Sequence, residues 1–211
     1  MKRVRMIAIV ECESGTPQQV RDILTDLGAD ARIVNAGEAI GRASKIVLPC
    51  SHSFPDMIRS VRDRGFVAPL LRAVNEGRPV LGISHGMHLL LDVSYESGQH
   101  TGLGAIHGKA AHFDFGEHPA AKHFVVPHQG WNQVNWTNGC PLLAGLNSGE
   151  YFYFDHTTHA EPLDHQIVTA QCNHGIDFAA VLWNRNVFGT QFLPERSADA
   201  GRKLLMNFLG T

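Results

Sequence analysis

The chain has 211 residues, of which 44% are hydrophobic and 18% charged, which is the composition of a globular protein with ample material for a core. Its formal net charge of −2 gives no reason to expect a nucleic acid or an anionic membrane as a partner. No apolar run approaches the roughly 20 residues that span a bilayer, and the start resembles a strand rather than a signal peptide. We therefore expect a cytoplasmic protein.

The cysteines and histidines show no spacing typical of metal or disulfide sites. The four cysteines have no C-x-x-C spacing, which favours a reduced cytosolic protein over a disulfide scaffold. The 13 histidines include no H-E-x-x-H pair, and no His/Cys arrangement is typical of a zinc site. We expect neither a metal nor a cofactor.

The first hundred residues alternate between buried strands and helices. Helices are predicted from Pro17 to Leu27, with Thr16 as N-cap, and between Gly65 and Gly77. The predicted strands cover 4–10, 31–34, 45–49 and 80–83. Such alternation predicts a parallel sheet with right-handed crossovers, and ligands bind such sheets at the carboxyl ends of the strands.

The stretch "GISHG" places Ser84 between the last of these strands and a helix that begins near Met87. G-x-S-x-G is the nucleophile-elbow pattern, in which a tight turn exposes a reactive side chain. A serine needs a base, and His156 or His174 are candidates that no spacing singles out. A serine hydrolase is therefore one hypothesis for the function.

After about residue 100 the pattern changes to short strands joined by Gly, Asn, Asp and His turns. These strands are predicted at 122–126, 150–154, 167–171, 179–183 and 187–192, and a helix at 198–209 closes the chain. We expect an antiparallel half packed on the parallel one. Because no linker or repeat separates the halves, residues 1–211 are predicted to form a single domain.

Several segments together resemble the glutaminase subunit of imidazole glycerol phosphate synthase, a class I (triad-type) glutamine amidotransferase of histidine biosynthesis. They are "VLGISHGMHLL", "GLGAIHG", "VPHQGWNQV", "EYFYFDH" and "VFGTQFLPERSADAGRKLLMNF". The resemblance implies an α/β fold of three layers, with a mostly parallel sheet and an antiparallel extension. It also implies a mechanism in which a cysteine, activated by a His-x-Glu pair, releases ammonia from glutamine to a docked (β/α)8-barrel synthase.

The resemblance implies a catalytic set that is only partly present. Ser84 stands at the position of the family's cysteine, and Leu193 at the position of its histidine, whereas Glu195 matches. The oxyanion-strand segment reads Pro49-Cys50-Ser51-His52-Ser53-Phe54 and lacks both of the family's glycines. The implied substrate pocket contains Cys50, His52, His85, His88 and His156. These changes argue against glutamine binding.

The subunit-contact stretch of the family is intact in this sequence. It comprises Pro127, His128, Gln129, Gly130, Trp131 and Asn132. The leading hypothesis is therefore a partner-binding or regulatory subunit of a barrel synthase that has lost its glutaminase activity. An alternative is an active amidotransferase with a rearranged triad, in which one of the pocket histidines is the base or Cys50 supplies the thiol. The serine could also be an engineered replacement of the cysteine.

Overall fold

The computed structural model of the chain describes residues 6–12, 16–50, 52–116, 123–137 and 139–211. The helices are α1 (Pro17–Asp26), α2 (Phe54–Asp63), α3 (Val67–Asn75), α4 (His85–Leu90) and α5 (Ala198–Gly210). The strands of the larger sheet are β1 (Ile7–Val10), β2 (Ala31–Val34), β3 (Lys45–Leu48), β4 (Val80–Ile83), β8 (His128–Asn135), β9 (Glu150–His156), β11 (Val168–Asn173), β12 (Asp177–Asn184) and β13 (Val187–Thr190). A smaller sheet contains β5 (Val93–Ser94), β6 (His100–Thr101), β7 (Gly108–His112) and β10 (Thr158–Pro162).

The larger sheet has the strand order β2-β1-β3-β4-β13-β12-β11-β8-β9 within the described residues. The first five of these strands run parallel, and the pairs from β13 to β9 are antiparallel. The sheet is therefore parallel on one side with an antiparallel extension, which confirms the predicted α/β fold class.

Helices cover both faces of this sheet. On β1, Ile7 and Ile9 belong to the core that contains α1 and α5, whereas Ala8 and Val10 belong to the core that contains α2, α3 and α4. The alternation follows from the period of two along a strand, which sends successive side chains to opposite faces. The smaller sheet contributes Ala110 and Ala160 to the second of these cores.

Most of the predicted elements are present, with three corrections. Residues 123–126 form no strand, and Lys122 lies outside the described residues, as do the first residues of the strand predicted at 4–10. The strand predicted at 187–192 ends at Thr190 and pairs with β4 in parallel, so it completes the parallel half. Thr16 precedes α1 but makes no capping hydrogen bond, because its hydroxyl donates to Glu195 instead.

Candidate active site

Ser84 lies at a sharp turn between β4 and α4, as the G-x-S-x-G pattern predicts. Its backbone has φ 52° and ψ −111°, and its N–H donates to the carbonyl of Thr190 at 2.6 Å. The glycines on either side are required by space: a Cβ on Gly82 would lie 2.5 Å from the carbonyl oxygen of Gly86, and one on Gly86 would lie 2.0 Å from that of Leu48. The backbone of a nucleophile elbow is therefore complete.

Among the residues that the structure describes, the hydroxyl of Ser84 has no base in hydrogen-bond contact. The residue is fully buried, and its Oγ has no hydrogen-bond partner among the described residues. A serine without a proton acceptor is a weak nucleophile. The elbow thus presents an unactivated side chain, which disfavours the serine-hydrolase hypothesis.

The position of the family's histidine lies in the core that contains α1 and α5, and that of its glutamate is partly buried beside it. Leu193 is 3% exposed, and its backbone N–H donates to the carbonyl of Tyr153 at 2.8 Å. Glu195 accepts a hydrogen bond from the Thr16 hydroxyl through Oε1, while its buried Oε2 has no partner among the described residues. Burial raises the pKa of the Glu195 carboxyl. Without an imidazole at residue 193, this carboxyl has no base to orient.

A second set of reactive side chains meets close to the elbow. The Nδ1 atom of His85 lies 3.6 Å from the Sγ atom of Cys50, and its Nε2 lies 2.6 Å from Oε2 of Glu96. Glu96 is fixed in turn, because its Oε1 accepts the backbone N–H of Phe54 at the start of α2, at 3.0 Å. A thiol, an imidazole and a carboxylate therefore form one hydrogen-bonded line.

The His85–Glu96 contact is an ion pair in the interior. Burial alone lowers the pKa of His85, but its contacts with the Cys50 sulfur and the Glu96 carboxylate outweigh burial and raise it to about 10. Burial opposes ionisation of Glu96 as well, and the imidazole of His85 overcomes it and lowers the pKa of Glu96 to about 2. Both groups are consequently charged at neutral pH.

His88 lies one turn further along α4 and is neutral. Its Nε2 lies 2.9 Å from Oε1 of Gln191, so that nitrogen donates to the amide oxygen. Burial and the positive charge of His85 lower the pKa of His88 to about 3. The hydroxyl oxygen of Thr158 lies 3.5 Å from Nδ1 of His88 and 3.4 Å from Oε2 of Glu96, and so connects the two groups.

His156 belongs to a second row of hydrogen bonds, which has fixed tautomers and meets the first at Thr158. Its Nδ1 donates to the Thr158 carbonyl at 2.8 Å, so its Nε2 accepts from Nδ1 of His128 at 2.9 Å. Nε2 of His128 then accepts from the side-chain amide of Asn132 at 3.0 Å. Burial lowers the pKa of His128 to about 4 and that of His156 well below its ordinary value. These rings are neutral structural groups.

The predicted pocket residues are thus divided between two places. His85, His88 and His156 are connected through Glu96 and Thr158, Cys50 joins them through His85, and His52 is exposed on the segment before α2. Sequence reasoning missed Glu96, Thr158 and Gln191, since none of them lies in a recognisable motif. Across the described residues, no three His, Cys, Asp or Glu side chains are grouped as metal ligands.

In the predicted subunit-contact stretch, side chains alternate between the inner and the outer face of β8. His128 and Asn132 point inward, where they are hydrogen-bonded to each other and His128 to His156. Gly130 has a φ of 122°, a backbone conformation that favours glycine. Trp131 is 54% exposed and packs edge-on against Tyr153, its partner on β9. Pro127 and Gln129 are also exposed.

The exposed side of β8 and β9 carries an aromatic face, which we define as Trp131, Tyr151, Tyr153 and Arg196. Tyr151 is 54% exposed, and the guanidinium of Arg196 lies 4.3 Å above the ring of Tyr153. Large exposed aromatic groups and arginine are enriched in protein interfaces. Within the described part of the chain, no helix is long and apolar enough to cross a membrane.

The buried neutral histidines predict that acid destabilises the fold. Burial lowers the pKa of His88 to about 3 and of His128 to about 4, so between pH 6.5 and 4 the unfolded chain binds protons that the folded chain does not. As the pH decreases through that range, each of these histidines lowers the free energy of unfolding by up to about 1.4 kcal/mol per pH unit. The urea midpoint should fall from pH 6.5 to pH 5.

A control variant and the alkaline range extend this prediction. In His128→Gln, the urea midpoint should fall less between pH 6.5 and pH 5 than it does in the native chain. Equal midpoints at the two pH values in the native chain would contradict the neutral state assigned to the buried histidines. His85 has its pKa raised to about 10, so its contribution is complete below pH 6.5 and is lost as the pH rises toward 10. Stability should therefore be greatest near pH 6.5.

Comparison with known proteins places this geometry in a family. The family model described as glutamine amidotransferase class-I matches residues 9–210. The imidazole glycerol phosphate synthase subunit HisH of Syntrophotalea carbinolica is 37% identical over 203 residues, which cover 96% of this chain and 98% of that protein. The subunit of the same name from Geobacter sulfurreducens is 37% identical over 202 residues, covering 96% and 97%.

A solved structure has the same fold. PurLQS from Thermotoga maritima matches with a TM-score of 0.75 and 18% identity, over 98% of this chain and 98% of that chain. The likeness to this structure extends over nearly the whole chain, so the overall fold is shared. The chain belongs to the class-I glutamine amidotransferase family, among the HisH proteins.

Proposed function

We propose that this chain is the amidotransferase-type subunit of an imidazole glycerol phosphate synthase complex of histidine biosynthesis, and that it docks on a (β/α)8-barrel synthase. The relatives named HisH, which match nearly their whole length, support this role. The observation that carries the docking is the aromatic face on β8 and β9, with Trp131 and Tyr151 each 54% exposed. Residues 1–211 act as one unit in this cytoplasmic complex.

We further propose that the family's catalytic route through the elbow is lost. Ser84 has a buried hydroxyl without a hydrogen-bond partner among the described residues, and Leu193 cannot accept a proton. In a serine protease, loss of the nucleophile or base costs on the order of 10⁶ in turnover, and loss of both costs little more. Without that route, the subunit binds and regulates the synthase.

The docking is tested by mixing the chain with the barrel synthase subunit encoded in the same genome. Size-exclusion chromatography should show a one-to-one complex, and isothermal titration calorimetry should give its dissociation constant. Failure of the two proteins to associate at micromolar concentration would contradict the proposed function.

Trp131→Ala should weaken this complex, because an exposed aromatic side chain at the centre of an interface buries the most area. We expect a loss of about 2 kcal/mol of binding free energy, or roughly 30-fold in dissociation constant. Leu163→Ala is the matched control, since Leu163 is 76% exposed and lies after β10 in the smaller sheet, away from the aromatic face. Equal affinities of the two variants for the synthase would show that the interface does not include the aromatic face.

A further inference from the structure

The side chains of Cys50, His85 and Glu96 are hydrogen-bonded in a row. They provide the thiol, the imidazole and the carboxylate of a cysteine catalytic site, at positions that the family does not use. The family's route would run through residues 84, 193 and 195, none of which takes part in this line. Cys50 follows β3 and His85 begins α4, so both lie at the carboxyl ends of adjacent parallel strands. Ligands of parallel α/β sheets bind at that edge.

The geometry meets the requirements for an activated thiol. His85 Nδ1 is 3.6 Å from the sulfur, which is within the reach of a hydrogen bond to sulfur, and His85 Nε2 is 2.6 Å from the carboxylate of Glu96. Nucleophile, base and orienting group are thus each in contact with the next. The carboxylate is held by the N–H of Phe54 and by the Thr158 hydroxyl, so the imidazole is fixed in one orientation.

We propose that Cys50, His85 and Glu96 form a relocated thiol–imidazole–carboxylate triad, in which the Cys50 sulfur attacks the acyl carbon of a small amide or ester. This inference goes beyond the docking role and does not depend on it. Cys50 and His85 are the catalytic residues, and Glu96 is a positioning residue that acts through His85.

The reaction balances with water as the only co-reactant. In the attacking form the proton lies on His85 Nδ1, and the sulfur forms a bond to the acyl carbon. The carbon–nitrogen or carbon–oxygen bond of the substrate then breaks, and His85 gives its proton to the leaving amine or alcohol. Water attacks the resulting thioester and gives a proton to His85, and the carbon–sulfur bond breaks to release the carboxylic acid and regenerate the site.

The other cysteines provide an internal comparison. Burial raises the pKa of Cys12 and of Cys172 to about 12, and it also raises that of Cys140. Their thiols are therefore protonated at neutral pH, and the thiolate is the form that attacks. No histidine ring lies within hydrogen-bond distance of any of these three sulfurs among the described residues. Cys50 alone should react.

The test is stoichiometric acylation of the folded chain by 4-nitrophenyl acetate, with the modified residue found by peptide mass spectrometry. We expect a burst of one equivalent of nitrophenolate and acetyl on Cys50, lost in Cys50→Ser and unchanged in Cys172→Ser. No burst, or acetyl on Ser84 or another cysteine, would overturn the proposal. A parallel assay with L-glutamine distinguishes the two substrate classes. Glutamate release that depends on Cys50 would show that the site acts on carboxamides. A nitrophenolate burst without glutamate release would show that it acts on esters.

Glu96→Gln distinguishes positioning from mere structural support. The variant should still be acylated at Cys50, but more slowly, and the pH at which the burst rate is half-maximal should shift, because the imidazole facing Cys50 and His88 loses its carboxylate. Glu96→Asp should restore part of the rate. An unchanged pH profile in Glu96→Gln, with circular dichroism like that of the native chain, would overturn the role assigned to Glu96.

Discussion

Glu96→Gln should lower the free energy of unfolding by about 3–5 kcal/mol, because it removes the carboxylate from a buried imidazolium. His85 and Glu96 are 7% and 8% exposed, and their atoms approach to 2.6 Å. The carboxylate also holds the first backbone N–H of α2, at 3.0 Å. Urea unfolding at pH 6.5, where both groups are charged, measures the loss.

A double-mutant cycle isolates the pair from other effects of the substitutions. His85→Phe leaves a buried carboxylate, and we expect a loss of similar size, whereas His85→Phe with Glu96→Gln should lose clearly less than the sum. The coupling should be about 2 kcal/mol. Arg59→Ala provides a surface control, since Arg59 pairs with Asp56 at 3.2 Å with both side chains largely exposed. Additive losses in the cycle would contradict the charged pair.

Restoring the family's two missing groups should create glutaminase activity only when both are present. Ser84→Cys supplies the thiol on an elbow whose backbone is already in place, but it has no base. Leu193→His supplies the imidazole two residues before Glu195, whose Oε2 has no partner among the described residues. Because nucleophile and base act as a unit, the double variant should release glutamate on the order of 10² times faster than either single variant.

Two outcomes would contradict this expectation. If Ser84→Cys alone were as active as the double variant, then a base other than residue 193 would serve the elbow. If the double variant stayed at background with an intact fold, the loss of activity would lie in the pocket, where His85 and His88 replace other residues, rather than in the triad. Glutamate release, measured in the complex with the barrel synthase, separates these cases.

The sequence was informative wherever function is encoded by short local patterns. The elbow was predicted because Gly82 and Gly86 leave space that no other residue permits. Helix α2 was missed although its signals are local: Ser53 caps it, and Phe54, Met57, Ile58 and Val61 repeat at helical spacing. The oxyanion-strand segment from Pro49 to Phe54 overlaps the first residue of this helix.

The candidate triad could not be predicted in full, because its members come from three segments. Cys50 and His85 were recognised as substitutions within a family motif, whereas Glu96 follows the two-residue strand β5 and has no motif of its own. Its place beside His85 depends on how the smaller sheet packs against α4. The parallel pairing of β13 with β4 likewise depends on tertiary packing, since β13 is buried throughout, as is most of its antiparallel neighbour β12.

We propose that the elbow is inherited architecture and that Ser84 has no chemical role. Glutamate release from L-glutamine by the complex of this chain with its barrel synthase, compared between the native chain and Ser84→Ala, tests it most directly. We predict equal rates, within about twofold, because the Ser84 hydroxyl has no hydrogen-bond partner among the described residues that could act as its base. A rate about tenfold lower in a folded Ser84→Ala complex would contradict this prediction, since it would make Ser84 part of the reaction.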